Sequence, residues 1–117
     1  MTSNVIKDKS YFFAVRIIRL TRELKTRKVE AVLINQLLKS GTSIAANVAE
    51  AVAGISRAEF SMKLSISYKE AKETECWLRL LKDTSSITQK EYDSIFIDLD
   101  EILKILWAIL NTTRRKK

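Results

Sequence analysis

The sequence predicts an all-α fold, an antiparallel up-down-up-down bundle of four helices, and three observations carry that prediction. Two apolar heptad ladders run between Ile34 and Leu81, the chain has no Pro and only two Gly, and the joints between periodic stretches are short. On the first ladder Ile34, Gly41, Val48 and Ile55 interleave with Leu37, Ile44 and Ala51; on the second, Phe60, Ser67, Thr74 and Leu81 interleave with Leu64, Ala71 and Leu78. Steps of three and four put each set on one helical stripe, so two long helices pack lengthwise. Gly54-Ile55-Ser56 between them leaves room only for a tight reversal.

The first helix runs from about Lys7 to Lys25, and Phe13, Ile17, Leu20 and Leu24 form its inward stripe. A basic joint, Thr26-Arg27-Lys28, leads into the second helix, from about Val29 to Ala53. Gly41, Ala45, Ala49 and Ala53 make a small-residue row on it that permits close backbone approach. Ser56 with Glu59 three residues on has the spacing of a capping box and opens the third helix, which runs to about Lys82. After the polar loop Asp83 to Ile87, Thr88 and Glu91 repeat that spacing, and the fourth helix runs to about Thr112 with Ile95, Leu99, Ile102, Leu106 and Ile109 inward. Short joints make consecutive helices antiparallel neighbours, and helices of ~25 residues are ~38 Å long.

At 117 residues the chain is one bundle domain, residues 1–117, with a short N-terminal segment 1–6 and a basic C-terminal tail 114–117. An apolar content of 46 % is too high for disorder. No uncharged apolar run approaches the ~20 residues that span a bilayer, so no membrane partner is expected. The stretch MTSNVIKDKS lacks the apolar core of a secretion signal, and Cys76 has no second Cys to pair with; both point to the cytoplasm. The chain has no His. That removes the Ser-His-Asp and Cys-His constellations and the Glu-x-x-His motif of di-iron bundles, and no glycine-rich phosphate loop is present. The expectation is a protein without catalytic residues, cofactor or metal.

Charge is unevenly spread. The net charge is +7, yet the stretch from Gly41 to Thr113 is slightly acidic. The excess sits in the first forty residues, with nine Lys or Arg against three acids, and in the tail Arg114-Arg115-Lys116-Lys117. Apolar residues also exceed the needs of one bundle. Met62, Ile66, Trp77 and Leu80 lie roughly opposite the inward stripe of the third helix, Tyr11, Val15 and Ile18 widen that of the first, and Phe96, Leu103 and Trp107 flank that of the fourth. Such patches are explained either as subunit interfaces or as scattered surface apolars; their clustering with Trp, Phe and Met favours self-association.

Ser40 to Ala51 (SGTSIAANVAEA), Ser56 to Phe60 (SRAEF) and Leu64 to Thr84 (LSISYKEAKETECWLRLLKDT) resemble the bacterial four-helix bundle proteins also called 23S rRNA intervening-sequence or S23-type proteins. The resemblance covers nearly the whole chain. It departs at Ala51 and Ala53-Gly54, where members often carry Gly or Gln-rich variants, and at Ser85-Ser86-Ile87, in place of a Gly-Tyr-hydrophobic turn. It implies a left-handed bundle assembling as a homopentamer, and no settled activity. A related bundle, the accessory protein of diversity-generating retroelements, is a basic pentamer that partners a reverse transcriptase and nucleic acid.

Lys9, Arg16, Arg19 and Arg27 fall on one stripe of the first helix, and Arg22, Lys25 and Lys28 widen it. Alone, the stripe reads better as a solvated face kept basic for solubility; repeated around an oligomer and joined by the tail, it reads equally as a belt suited to the phosphates of RNA or DNA. No aromatic is interleaved with these charges, which argues against base stacking and for contacts without sequence code. Glu73, inside the second apolar face, needs a partner such as an Arg of a neighbouring helix or subunit, and pairing it with Glu50 as acid and base lacks any accompanying nucleophile. The expected partners are further copies of the chain and RNA or DNA. The alternative is a protein-interaction scaffold serving a reverse transcriptase or a ribosome-related factor.

Overall fold

The computed structural model describes residues 2–115, with side chains described for residues 4–112. Four helices and no strand occur among them: α1 (Thr2–Thr26), α2 (Ala31–Ala53), α3 (Arg57–Asp83) and α4 (Gln89–Arg115). Each helix touches its two neighbours in a ring, α1 to α2, α2 to α3, α3 to α4 and α4 back to α1. Contacts between neighbours run in opposite senses. Ser40 meets Thr74 and Ile44 meets Ser67; Tyr68 meets Trp107 and Lys82 meets Tyr92; Lys9 meets Glu101 and Arg27 meets Glu91.

Both heptad ladders line the core as read, with two exceptions. Ile34, Leu37, Gly41, Ile44, Val48 and Ala51 are buried on α2, and Leu64, Ser67, Ala71, Thr74, Leu78 and Leu81 on α3. Ile55 is 98 % exposed, because α2 ends at Ala53 and the heptad count runs off the helix. Phe60, in the first turn of α3, is only partly buried. Leu103, expected at the flank, is buried in the core, as are Ile6, Tyr92 and Leu110. The core hydroxyls are satisfied: Ser67 donates to the Ile44 carbonyl at 2.9 Å, and Thr74 lies 2.9 Å from the Ser40 hydroxyl. The Ser67 bond ties α2 to α3 at fixed register, since sliding either helix would take away its acceptor, whereas Thr74 and Ser40 can also turn to carbonyls of their own helices.

The helix ends follow their local chemistry. The Ser56 hydroxyl accepts from the Glu59 N–H at 3.0 Å, while the Glu59 carboxylate reaches one residue past the cap to the Ile55 N–H. Thr88 and Glu91 form the reciprocal box, at 3.1 and 2.8 Å. α1 starts at Thr2, one turn earlier than the sequence suggests, since nothing in Thr2 to Ile6 breaks a helix. Two joints reverse through left-handed residues that are not Gly: Lys28 at φ 60° and Ser85 at φ 64°. In each, the next N–H bonds back to a carbonyl five residues earlier, Val29 to Leu24 and Ser86 to Leu81, which closes a Schellman motif.

Candidate functional site

The basic stripe of α1 faces the seam with α4, and there the cations meet carboxylates. Lys9 Nζ lies 3.2 Å from Glu101 Oε1. Arg16 donates to Asp98 Oδ2 at 2.7 Å and also to the Ser94 carbonyl and hydroxyl. Arg27 grips Glu91 with both terminal nitrogens, at 3.0 and 2.6 Å, and adds bonds to the Ser86 carbonyl and to Glu23. The Glu91 side chain is held down to about pH 2 in its ionisation, first by Arg27 and then by the Thr88 N–H, and Arg27 is raised in turn, chiefly by Glu91. Three members of the predicted phosphate-binding stripe are therefore engaged within the chain. The missed signal was the complementary row on α4, Glu91, Ser94, Asp98 and Glu101, at steps of three and four.

Arg19 is the exception on that stripe. It is exposed, and so are Arg22, Lys25 and Lys28 further along α1. None of these four takes part in any ion pair among the described residues. Lys25 sits in the last turn of α1, where the helix dipole favours a cation. The cationic surface is thus displaced toward the C-terminal end of α1. Of the tail, Lys116 and Lys117 lie outside the described residues, and the described side chains stop before Arg114 and Arg115.

Of the expected interface residues, Met62 and Leu80 are exposed on the outer side of α3. Ile66 is partly buried, and Trp77 packs against the core. Leu80 edges a shallow groove of about 300 Å³ lined also by Lys72, Glu75, Cys76, Arg79 and Asp83. A second groove of about 180 Å³, between α1 and α4, is lined by Lys9, Phe12, Phe13, Asp98 and Glu101. Within the chain, Glu73 finds its partner one turn along its own helix, accepting from the Trp77 indole N–H at 3.2 Å, and not in an Arg of a neighbouring helix. Glu50 is bound to Lys63 at 2.7 Å. Burial, then the charge of Glu73, raises the Glu70 carboxyl above its ordinary range, against the pull of Lys39 and Lys69.

No group of three or more Cys, Asp or Glu arranged to hold a metal ion occurs among the described residues. Among them, too, no helix is long and apolar enough to cross a membrane. A comparison with curated proteins finds no match. Among solved structures, the chain is similar to a protein of unknown function from the S23 ribosomal protein family of Bacteroides thetaiotaomicron, with 50 % identity over 95 % of this chain and 99 % of that one and a TM-score of 0.91. The model of the 23S rRNA-intervening sequence proteins matches residues 2–108. The chain belongs to that family.

Proposed function

We propose that this protein is a non-enzymatic, homo-oligomeric bundle, a pentamer of up-down-up-down units, that binds the sugar-phosphate backbone of RNA or DNA. The observation that carries the reading is the set of exposed cations Arg19, Arg22, Lys25 and Lys28, free of ion pairs among the described residues. Lys9, Arg16 and Arg27 play a different part in it. They hold α1 on α4, and with Arg114 to Lys117 they add to the field that draws in a polyanion.

Binding of labelled RNA and DNA, followed by fluorescence anisotropy from ~50 mM salt upward, tests this. Affinity is expected to fall with a log-log slope of about −0.9 per phosphate contact on duplex DNA. Replacing Arg19 and Arg22 together by Ala should flatten that slope by about 2 and weaken binding equally across unrelated sequences. Absence of binding to any single- or double-stranded form would overturn the proposal. It would leave a protein-binding scaffold, a reading favoured by the exposure of Phe12, Met62, Leu80 and Ile97.

A further inference from the structure

Three aromatic pairs occur among the described residues, and they differ in what they offer to the outside. Tyr92 and Phe96 stack within 10° of parallel at 5.5 Å, with Tyr92 buried and its ring covered by the Lys82 ammonium at 4.7 Å. Tyr11 and Phe12 are neighbours on one helix and meet edge-on at 80°. The groove beside Phe12 is lined by Lys9, Asp98 and Glu101, charges already paired across the α1–α4 seam. Tyr68 and Trp107 are different. They come from α3 and α4, thirty-nine positions apart by their numbering, and meet at the surface with ring centres 6.1 Å apart and planes inclined at 42°. Tyr68 is partly buried and Trp107 is 52 % exposed. The rings are tilted and not stacked on each other, and the exposed half of the indole is open to a flat partner.

Two lysines stand beside the pair. Lys72 stands one turn on from Tyr68, and Lys104 one turn before Trp107. Each is bound to a carboxylate of its own helix, Glu75 at 3.0 Å and Asp100 at 2.9 Å, with ammonium-bearing side chains that are 54 % and 76 % exposed. Exposed pairs of this kind hold weakly against water and salt, so either ammonium is free to turn to a phosphate. α4 continues beyond Trp107 to Arg115, and the basic tail begins seven residues after the indole. Tyr68 also lies about a third of a turn around α3 from the row of Met62 and Leu80, so the pair lies apart from that row.

We infer that Tyr68 and Trp107 form a stacking platform for an unpaired base of single-stranded RNA or DNA, with Lys72 and Lys104 on its flanking phosphates. Every base has a flat face and stacks on such a ring whatever its sequence, whereas a duplex keeps its bases inside. The inference rests on the proposed nucleic-acid function and adds strand preference to it: the platform reads single strands, while the cations of α1 serve either form.

The test uses the full chain with Trp77→Phe, so that Trp107 is the sole indole. Titration with a uridine or thymidine oligonucleotide should quench its fluorescence. In the otherwise unaltered chain, Trp107→Ala should weaken single-strand binding by about 5- to 150-fold in anisotropy, and Trp107→Phe should retain most of it. Duplex affinity should be unchanged in both. Equal single-strand affinity in the Trp107→Ala protein, or binding without quenching, would overturn the platform and leave the α1 surface standing. So would a smaller assembly of the Trp107→Ala protein in sedimentation, which would make the pair a subunit contact. Failure of every strand form to bind the parent chain would remove the function and the platform together.

Discussion

Gly41 faces Ile17 so closely that a Cβ built on it would lie 2.8 Å from both γ carbons of that side chain. Ile17 is fully buried and has no room to swing aside. Here α1 and α2 approach at a distance that only a residue without a side chain allows. Gly41→Ala gains about 1 kcal/mol of helix propensity but forces an overlap that costs about 1–3 kcal/mol in a packed core. The overlap should win, lowering the melting temperature by a few degrees. A rise would show that the α1–α2 contact is loose.

Val48 lies in the middle of the core with no accessible surface. Val48→Asp buries a carboxylate with no partner and is expected to cost several kcal/mol, comparable with a domain's whole stability. Loss of the cooperative thermal transition by circular dichroism is the expected result. Native helicity with an unchanged melting temperature would contradict the inward register of α2.

The Arg27–Glu91 clasp predicts a dependence on acid. The Glu91 carboxyl ionises at about 2 in the folded chain, well below its ordinary 4.5. A carboxylate depressed on folding stabilises above its unfolded value, and that stability is lost as pH falls from about 4.5 through 2. Both side chains are about a third exposed, so screening reduces the contribution to the order of 1 kcal/mol. Glu91→Gln keeps a residue able to close the Thr88 capping box while removing the charge. The variant should be less stable at pH 7 and should lose less stability than the parent between pH 5 and 2. Parallel curves for the two proteins would contradict the assignment.

Assembly is best probed at Leu80, which is 43 % exposed on the outside of α3. Leu80→Asp places a charge where a subunit contact is expected without disturbing the core. The parent should sediment as a pentamer and the variant as a smaller species of unchanged helicity. A monodisperse monomer of the parent at micromolar concentration would refute the self-association. Trp77→Asp reports less cleanly, since Trp77 packs against the core.

The bundle was largely legible in the sequence because heptad spacing is local: Ile34 to Ala51 and Leu64 to Leu81 announce their own stripes. Two kinds of feature were not. Ser10 and Thr21 are buried although polar, each hydroxyl returning to a carbonyl three residues back, and a periodicity count built on apolar residues passes over them. The fate of the cations was hidden for another reason. Arg16 and Asp98 are 82 positions apart, so the charge on α1 reads as a free row until α4 is laid beside it. Tyr68 and Trp107 were invisible as a pair on the same ground.

Lys28 occupies a backbone conformation in which glycine meets no steric resistance and lysine does, at a cost of roughly 1–2 kcal/mol. The joint that turns α1 into α2 therefore sets charge against local stability at a single position. Lys28→Gly relaxes the backbone and removes a cation, so folding and polyanion binding should respond in opposite directions to one substitution. Here a hinge residue doubles as an internal control: weaker binding by a chain that melts no lower is a lost contact, not a damaged fold.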